Sequence, residues 1–451
     1  MKSKQGINFF SLTMIVVSLV IGMGIFKTPA TIAAKSGTPL IFFSAWIIGG
    51  IIALFGALTY AEIGQRLPVM GGYYKVFAHC YHPGVGFTIN VLILISNAAS
   101  LAVVALIGAD YVSDLLFGRP SGTLFNIGVA SFSVGLFYIV NLLGLKTSSR
   151  TQNVLMIVKI SLILLLITSL FKGVSVAPHG FNDGKVYVYD GSNGMLLLLV
   201  SLVSVFFTYG GYQQTINFGD EVKEPQKNLP RGIFIGIMVI ILLYLSVSYA
   251  YYNVIGFEEL KTTKGIAAIV AERMFGPTGK FAFSILLFIA VLAYVNVLLL
   301  SNPRVMFAMS EDKMLPKFFQ WKHPKTAALV PGLTIFALIT IITILLSYFA
   351  KDADQVYEIL SFSIFLDCIG MSTSAATLFI LRKRGQGDAS VTGALKKWTP
   401  ILAAIFVIAY AFVAVAVVID KPYAALAAFC LIIIVLIVYR KFYYKPVPKL
   451  S

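Results

Sequence analysis

Long runs of apolar residues, separated by short polar segments, fill almost the whole chain. Each run is long enough for a helix to cross a hydrocarbon core of about 30 Å. The runs do not alternate apolar and polar residues, as the strands of a membrane barrel would. The sequence therefore predicts an all-α polytopic membrane protein with twelve transmembrane helices, at residues 9–33, 39–63, 83–117, 124–144, 150–171, 194–219, 230–255, 277–310, 330–350, 354–381, 398–419 and 422–440.

The first and sixth predicted helices are both interrupted by glycines. The first break is Gly22-Met23-Gly24-Ile25-Phe26, and the second is Thr208-Tyr209-Gly210-Gly211. Glycine lets a helix unwind without steric cost, and unwound backbone within a bilayer is tolerated only where it lines a cavity or is buried in protein. Matching breaks in two halves of a chain indicate the binding site of a transporter. The alternative is that the glycines only allow close helix packing.

The third and eighth apolar segments are unusually long, which implies tilted helices. They hold the same position in helices 1–5 as in helices 6–10, and the breaks match as well. The sequence therefore predicts a five-plus-five repeat within one transporter domain, at about residues 9–171 and 194–381. Because five is odd, the second copy is inverted in the membrane. Two extra helices, at about 398–440, follow the repeats.

The ends of a broken helix suit a zwitterion. A helix N-terminus presents free N–H groups that attract a carboxylate, and a helix C-terminus presents free carbonyls that accept from an ammonium group. At the second break, the backbone and Thr208 form a predicted pocket wall, although the aromatic residues there can equally be packing residues. The candidate substrate-binding residues are Gly22, Met23, Gly24, Ile25, Phe26, Thr208, Tyr209, Gly210 and Gly211.

Lys159 lies well inside the fifth predicted helix, in the run Leu155-Met156-Ile157-Val158-Lys159-Ile160. An unpartnered ammonium at that depth costs on the order of 3 kcal/mol or more. The side chain can snorkel to the interface, but roughly 13 Å of helix separates it from the start of the span. We therefore expect Lys159 to dock on the free carbonyls at the end of the first half-helix, in place of a coupling cation such as Na⁺.

Asp367 is a second charged residue inside an apolar run. Three interpretations remain open from the residues alone: a protonated packing residue, a proton carrier, or a ligand for a cationic substrate. Glu62, at the inner end of the second helix, is expected to organise the loop that leads to Tyr73.

Composition and charge agree with a membrane protein and exclude other classes. The 451 residues are 58% hydrophobic and 12% charged, with a mean hydropathy of +0.88, whereas soluble domains are about a quarter charged. The net charge of +16 comes from short loops, which argues against a nucleic-acid partner. Lysine and arginine are about twice as frequent in loops on the side of the N-terminus, which predicts cytoplasmic termini and a multi-pass protein of the cell membrane.

Three cysteines and four histidines show no metal-binding or catalytic spacing. No cofactor, metal site or enzymatic activity is therefore expected. A channel is not indicated either, since no repeated filter loop or charged ring is visible.

Four motifs resemble the amino acid–polyamine–organocation superfamily, which has the LeuT-type fold, and in particular its L-type and related bacterial permeases. The first break resembles G-S-G-I-F. The other matching stretches are Tyr60-Ala61-Glu62-Ile63-Gly64 with Pro68 and Gly71–Tyr74, the highly specific Glu221–Arg231 (EVKEPQKNLPR), and Arg304–Pro316.

The resemblance implies that the substrate carboxylate and amine bind the backbone around both breaks. It also implies that Lys159 takes the place of sodium, with exchange or proton symport. The expected function is transport of neutral L-amino acids. The alternative is a transporter of cationic amino acids or polyamines with Asp367 as counter-ion.

The chain departs from the family pattern in several places. Met23 replaces a serine, residues 209–212 lack the acidic and tryptophan residues common in L-type members, and Glu311 replaces an arginine. The loop at 118–122 has no cysteine. The resemblance therefore implies no disulfide-linked heavy subunit, and the expected partners are the lipid bilayer and a small amino acid substrate.

Overall fold

The computed structural model describes residues 6–22, 24–117, 122–171, 194–263, 265–349, 353–391 and 393–443. Its regular elements are helices, joined in the described residues by two isolated β-bridges, Ile7–Val222 and Met70–Phe218. Twelve helices in these residues are long and apolar enough to cross a membrane. The predicted fold class, an all-α polytopic membrane protein, is confirmed.

The first half of the chain contains the elements of spans 1–5. They are α1 (Phe9–Val20), α2 (Gly24–Ser36), α3 (Pro39–Arg66), α4 (Gly72–Cys80), α5 (Pro83–Phe117), α6 (Thr123–Leu142) and α7 (Leu145–Ile167).

The second half contains spans 6–12. They are formed by α8 (Gly194–Tyr209), α9 (Pro225–Ile255), α10 (Phe257–Leu260), α11 (Ile266–Glu311), α12 (Val330–Leu346), α13 (Ala353–Lys383), α14 (Gly393–Asp420) and α15 (Pro422–Phe442). A 3₁₀ segment, Tyr212–Asn217, follows α8.

Helix starts follow local capping chemistry. The side chain of Asn8 accepts a hydrogen bond from the Ser11 amide at 2.7 Å and caps α1, because the first turn of a helix leaves its N–H groups unpaired. Thr38 caps α3 in the same way, and Pro39 occupies the first helical position, where its missing N–H costs nothing.

The breaks in spans 1 and 6 are confirmed. Span 1 is interrupted between Val20 and Gly24, and α8 ends at Tyr209 before Gly210 and Gly211. In each half the broken span comes first and the longest helix comes third, so the order of elements in spans 1–5 recurs in spans 6–10.

Three features differ from the sequence prediction. The segment after span 2 contains the helix α4, because Gly71 adopts a left-handed conformation (φ 62°) that starts a new helix. The chain beyond the second break continues as a 3₁₀ helix and not as an α-helix. Span 8, predicted to begin at residue 277, is joined through a kink at Gly276 to a preceding helical segment that begins at Ile266, and together they form the long α11.

The two broken spans lie together in the interior. α1 packs against α7 and α9, and α2 packs against α8, while α5 and α11 pack against each other. Their shared interior is apolar and fully buried around Val16, Ile21 and Phe26. The arrangement therefore places both breaks in the protein interior and away from the lipid.

Candidate functional site

The two breaks touch each other directly. Gly211 has a φ of 118°, and a β-carbon there would lie 2.1 Å from the carbonyl oxygen of Leu19. A β-carbon on Gly24 would lie 3.0 Å from the Cγ2 methyl of Thr208. Glycine is therefore needed at 211 both for conformation and for space, and the breaks pack as two surfaces of one unit.

A cavity of about 340 Å³ lies beside the breaks. Such a volume is in the range of small-molecule sites. Five of the candidate residues line it, namely Gly22, Gly24, Thr208, Gly210 and Gly211. The structure thus brings most of the backbone candidates to a single cavity.

The other candidates have different environments. Ile25 and Phe26 are fully buried and do not line the cavity, although they belong to the first turn of α2, whose amides have no partner within the helix. The Tyr209 side chain packs edge-on against Trp46 and beside Tyr244. Met23 lies outside the described residues.

Lys159 makes the contact that the sequence predicts. Its side chain is fully buried, and its Nζ donates a hydrogen bond to the Ile21 carbonyl at 2.6 Å. Ile21 is the C-cap of α1, so its carbonyl has no partner within that helix. The lysine thus places a cation at the negative end of the helix dipole.

Polar side chains continue from Lys159 between α1, α7 and α11. Gln152 donates to the Ser18 hydroxyl and, at 3.1 Å, to the Ala293 carbonyl. Asn296 donates to the Gln152 oxygen at 2.6 Å and accepts from Asn141 at 2.9 Å. These bonds satisfy buried polar groups and hold α7 in register beside the break.

Asp367 also lines the cavity and is half-buried there. It is the only carboxylate among the lining residues that the structure describes, and it faces the same space as Cys368 and Tyr410. In those described residues, no group of three His, Cys, Asp or Glu residues could hold a metal ion.

Several polar residues of the cavity were not predicted from the sequence. Asn97 donates to Asn302 at 2.7 Å and accepts from Gln214 at 3.2 Å. The hydroxyls of Ser100 and Tyr294 lie 3.1 Å apart. The sequence feature that could have identified the amides among them is an isolated amide side chain within an apolar run, because burial of such a group is unfavourable without hydrogen-bond partners.

Comparison with known proteins gives the family. The model of the amino acid permease family matches residues 7–440, which is nearly the whole chain. The chain belongs to the amino acid permease family. It is therefore a membrane transporter and not an enzyme, as predicted.

Three individual relatives have low sequence identity to this permease. It is 30% identical to the serine/threonine exchanger SteT of Bacillus subtilis over 87% of both chains. It is 29% identical to the methylthioribose transporter of the same organism over 70% of both chains. It is 25% identical to the human large neutral amino acids transporter small subunit 2, over 84% of this chain and 70% of the relative.

The cavity of the permease opens toward one membrane face. Its lining extends along α2 through Thr31 to Lys35 and reaches Lys421 at the end of α14. Lys27, one turn above the break, is exposed. The opening therefore lies at the face where α2 ends, opposite the face where α1 begins.

Toward the face where α1 begins, the permease is closed. Arg304 binds Glu221 through two contacts of 2.5 and 3.2 Å, and its guanidinium lies 4.6 Å over the Phe218 ring. The Tyr73 amide donates to the Asn217 side chain at 3.0 Å. These contacts join α4, α11 and the segment after α8 beneath the cavity.

A second cluster ties α3 to α13 at the same face. Glu62 accepts from Arg66 at 2.7 Å and from Arg382 at 2.6 Å, and Arg66 also pairs with Asp388 at 2.8 Å. Glu62 thus links α3 to α13, whereas its position in the sequence predicts a role in the loop that leads to Tyr73.

Proposed function

We propose that the chain is a sodium-independent secondary transporter of neutral L-amino acids that works by alternating access, as an exchanger or a proton-coupled symporter. The observation that carries this proposal is the joint placement of both breaks at one cavity, with Lys159 docked on the first break. The similarity to SteT, a serine/threonine exchanger, and to the human large neutral amino acids transporter small subunit 2 supports the substrate class.

The substrate carboxylate binds the amides of the first turn of α2. That turn begins at Gly24, where the free N–H groups and the helix dipole favour an anion. Gly24 lacks a side chain that would cover these amides, and it borders the cavity.

The substrate ammonium binds carbonyls at the end of α8. Lys159 already occupies the Ile21 carbonyl, and the Tyr244 hydroxyl contacts the carbonyls of Val20 and Thr208 at 3.2 and 3.3 Å. Phe206 and Phe207 lie in the last turn of α8 beside the cavity. The Phe207 carbonyl accepts from the Gly210 amide at 3.2 Å, and its second lone pair is the acceptor that we assign to the ammonium.

Sodium independence follows from the position of Lys159. A fixed ammonium supplies a positive charge at the end of α1, so a mobile cation has no carbonyl to bind at Ile21. We further propose that both termini are cytoplasmic and that the protein functions in the cell membrane without a disulfide-linked heavy subunit. In that orientation, the cavity opens outward.

Asp367 supports a second candidate function. A carboxylate in the cavity offers a counter-ion to a second positive charge on a cationic amino acid or a polyamine. Arginine and putrescine are therefore the competitors that separate the two candidates.

The test is uptake and exchange in proteoliposomes against a panel of amino acids. We expect labelled serine, threonine or a larger neutral amino acid to exchange equally well in sodium and in choline buffers. Inhibition by arginine or putrescine, but by no neutral amino acid, would establish the second candidate. Absence of exchange with every amino acid and with putrescine would refute both candidates.

A further inference from the structure

A second cavity, of about 390 Å³, lies at the membrane face where α1 begins and is separate from the substrate cavity. Ten residues line it, and three are cations: Lys146 and Arg150 on α7, and Lys223 from the segment before α9. No aspartate or glutamate belongs to this lining. Asn8, Ser11, Ser149 and Asn153 add polar groups.

The backbone brings these cations together from distant parts of the chain. The Ile7 amide donates to the Glu221 carbonyl at 2.7 Å, and the Lys223 amide donates to the Ile7 carbonyl at 3.0 Å. Asn153 of α7 donates to the Ser11 hydroxyl of α1 at 2.9 Å. Lys223 is therefore fixed beside the start of α1, opposite α7.

Within the described residues, the three cationic side chains have no acidic partner and no side-chain hydrogen bond. Lys146 and Arg150 are four residues apart on one helix, where like charges repel. They also occupy the first turns of α7, which has no acidic residue in its first turn and no side-chain cap. The helix dipole disfavours cations at that end, so an anion would relieve both effects.

The surface beyond Arg150 is apolar and exposed. Val154 and Ile157 follow Arg150 at four and seven residues, on the same side of α7, and their side chains are 62% and 51% exposed. Residues at this spacing share one helix face. The cations at the start of that face are thus followed directly by an apolar surface that can bind acyl chains. A phospholipid can contact both parts, whereas a free phosphate ion would contact only the cations.

We propose that this cavity binds the phosphodiester headgroup of an anionic phospholipid, with its acyl chains along α7. Basic pockets between transmembrane helices are a known form of lipid headgroup site. The bound headgroup joins α1, α7 and the segment at Lys223, and so stabilises the closed face of the protein. Binding requires neither transport nor a particular substrate.

Native mass spectrometry of the purified full-length protein tests this proposal. The probes are palmitoyl-oleoyl phosphatidylglycerol, the matching phosphatidylcholine and inorganic phosphate. We expect a phosphatidylglycerol adduct and none with phosphatidylcholine. Each cation contributes about fivefold in affinity, so the triple variant Lys146→Gln, Arg150→Gln, Lys223→Gln weakens binding about 100-fold.

The matched control carries the same loss of charge at exposed lysines of the same face, as Lys317→Gln, Lys325→Gln, Lys383→Gln. This control keeps the adduct, and phosphatidylglycerol raises the unfolding temperature of the wild type and the control but not of the triple variant. A triple variant that retains the lipid overturns the proposal, as does equal loss in the control. Displacement of the lipid by millimolar phosphate would show that the cavity binds free phosphate and not a lipid headgroup, and would overturn the proposal.

Discussion

The Nζ of Lys159 lies 2.6 Å from the carbonyl oxygen of Ile21, and both residues are fully buried. This one contact joins the fifth span to the break of the first. It satisfies a carbonyl that the helix end leaves free and an ammonium that the apolar interior would otherwise disfavour.

Replacing Lys159 with methionine is expected to lower transport more than stability. A lost hydrogen bond from a charged group corresponds to about 1.5–3 kcal/mol, or roughly 10- to 100-fold in exchange rate if it is needed in one conformational state. Exchange in proteoliposomes and the unfolding temperature are measured together, with exposed Lys325→Met as the control. Unchanged exchange kinetics would exclude a role for Lys159 in transport.

Gly211→Ala is expected to prevent close packing of the two breaks. The new β-carbon would approach the Leu19 carbonyl at 2.1 Å with φ at 118°, and such backbone strain costs roughly 1–3 kcal/mol. Gly128→Ala, on α6 outside the cavity, is the control, because nothing lies within 4 Å of its β-carbon. Ligand-induced thermal stabilisation should vanish for position 211 and persist for position 128. Equal behaviour of the two variants would contradict this packing argument.

Gly24→Ala is expected to weaken substrate binding because its β-carbon meets the Thr208 methyl at 3.0 Å. Thr208→Ser removes that methyl group, so it should restore binding in the Gly24→Ala background while it changes little by itself. Substrate affinities of the single and double variants form a cycle that isolates this contact. Additive effects would show that the methyl group is not responsible.

Asp367→Asn separates the two candidate functions. The change keeps the shape of the side chain and removes its charge. A neutral substrate should bind with an affinity within about threefold of wild type, less than 1 kcal/mol. Loss of all binding, together with inhibition of the wild type by arginine or putrescine, would favour the cationic candidate. Competition with labelled substrate measures both the affinity for the neutral substrate and the inhibition by arginine or putrescine.

Cys368 lines the cavity and reports which face is open. In a Cys430→Ser background, a charged thiol reagent should label Cys368 from the face where α2 ends. Glu221→Gln frees the buried Arg304 and should raise labelling from the opposite face severalfold, since breaking such a pair is strongly unfavourable. Cys80 stays unlabelled, because its side chain is buried and does not line the cavity.

Lys227→Gln is the control for that experiment. Lys227 pairs with Glu224 at 3.7 Å with both side chains more than half exposed, and such surface pairs contribute little. The same rise in labelling from Lys227→Gln would show that the effect is not specific to Arg304.

Much of the fold was predictable because each span is a local property of the chain. The third span, predicted at 83–117, is observed as Pro83–Phe117, since an apolar helix in a membrane satisfies its own backbone hydrogen bonds. The helix α4 was missed because its start depends on contacts with distant residues. A β-carbon on Gly71 would clash with Ala308, and one on Gly72 would clash with the Ile216 carbonyl.

The candidate site was predictable at the level of backbone and less so at the level of side chains. Glycine pairs mark where a helix can unwind, and a buried lysine needs a partner, so both breaks and Lys159 were recognisable. Phe26 at the first break and Tyr209 at the second were both candidate binding residues, yet neither lines the cavity. The position of a residue around the helix axis decides which way its side chain points. That position can no longer be read from the helical periodicity where the helix is interrupted.

By itself, the sequence determined the number of spans, the two breaks and the need for a partner at Lys159, because length, hydropathy and the cost of an unpaired charge are properties of short segments. Only the tertiary structure decided that the amides of Asn97 and Gln214 meet beside the cavity, and that Arg304 closes one face against Glu221. It also placed Lys223 beside Arg150 around a second cavity. Such contacts join residues far apart in the chain, and their geometry depends on how all the helices pack together.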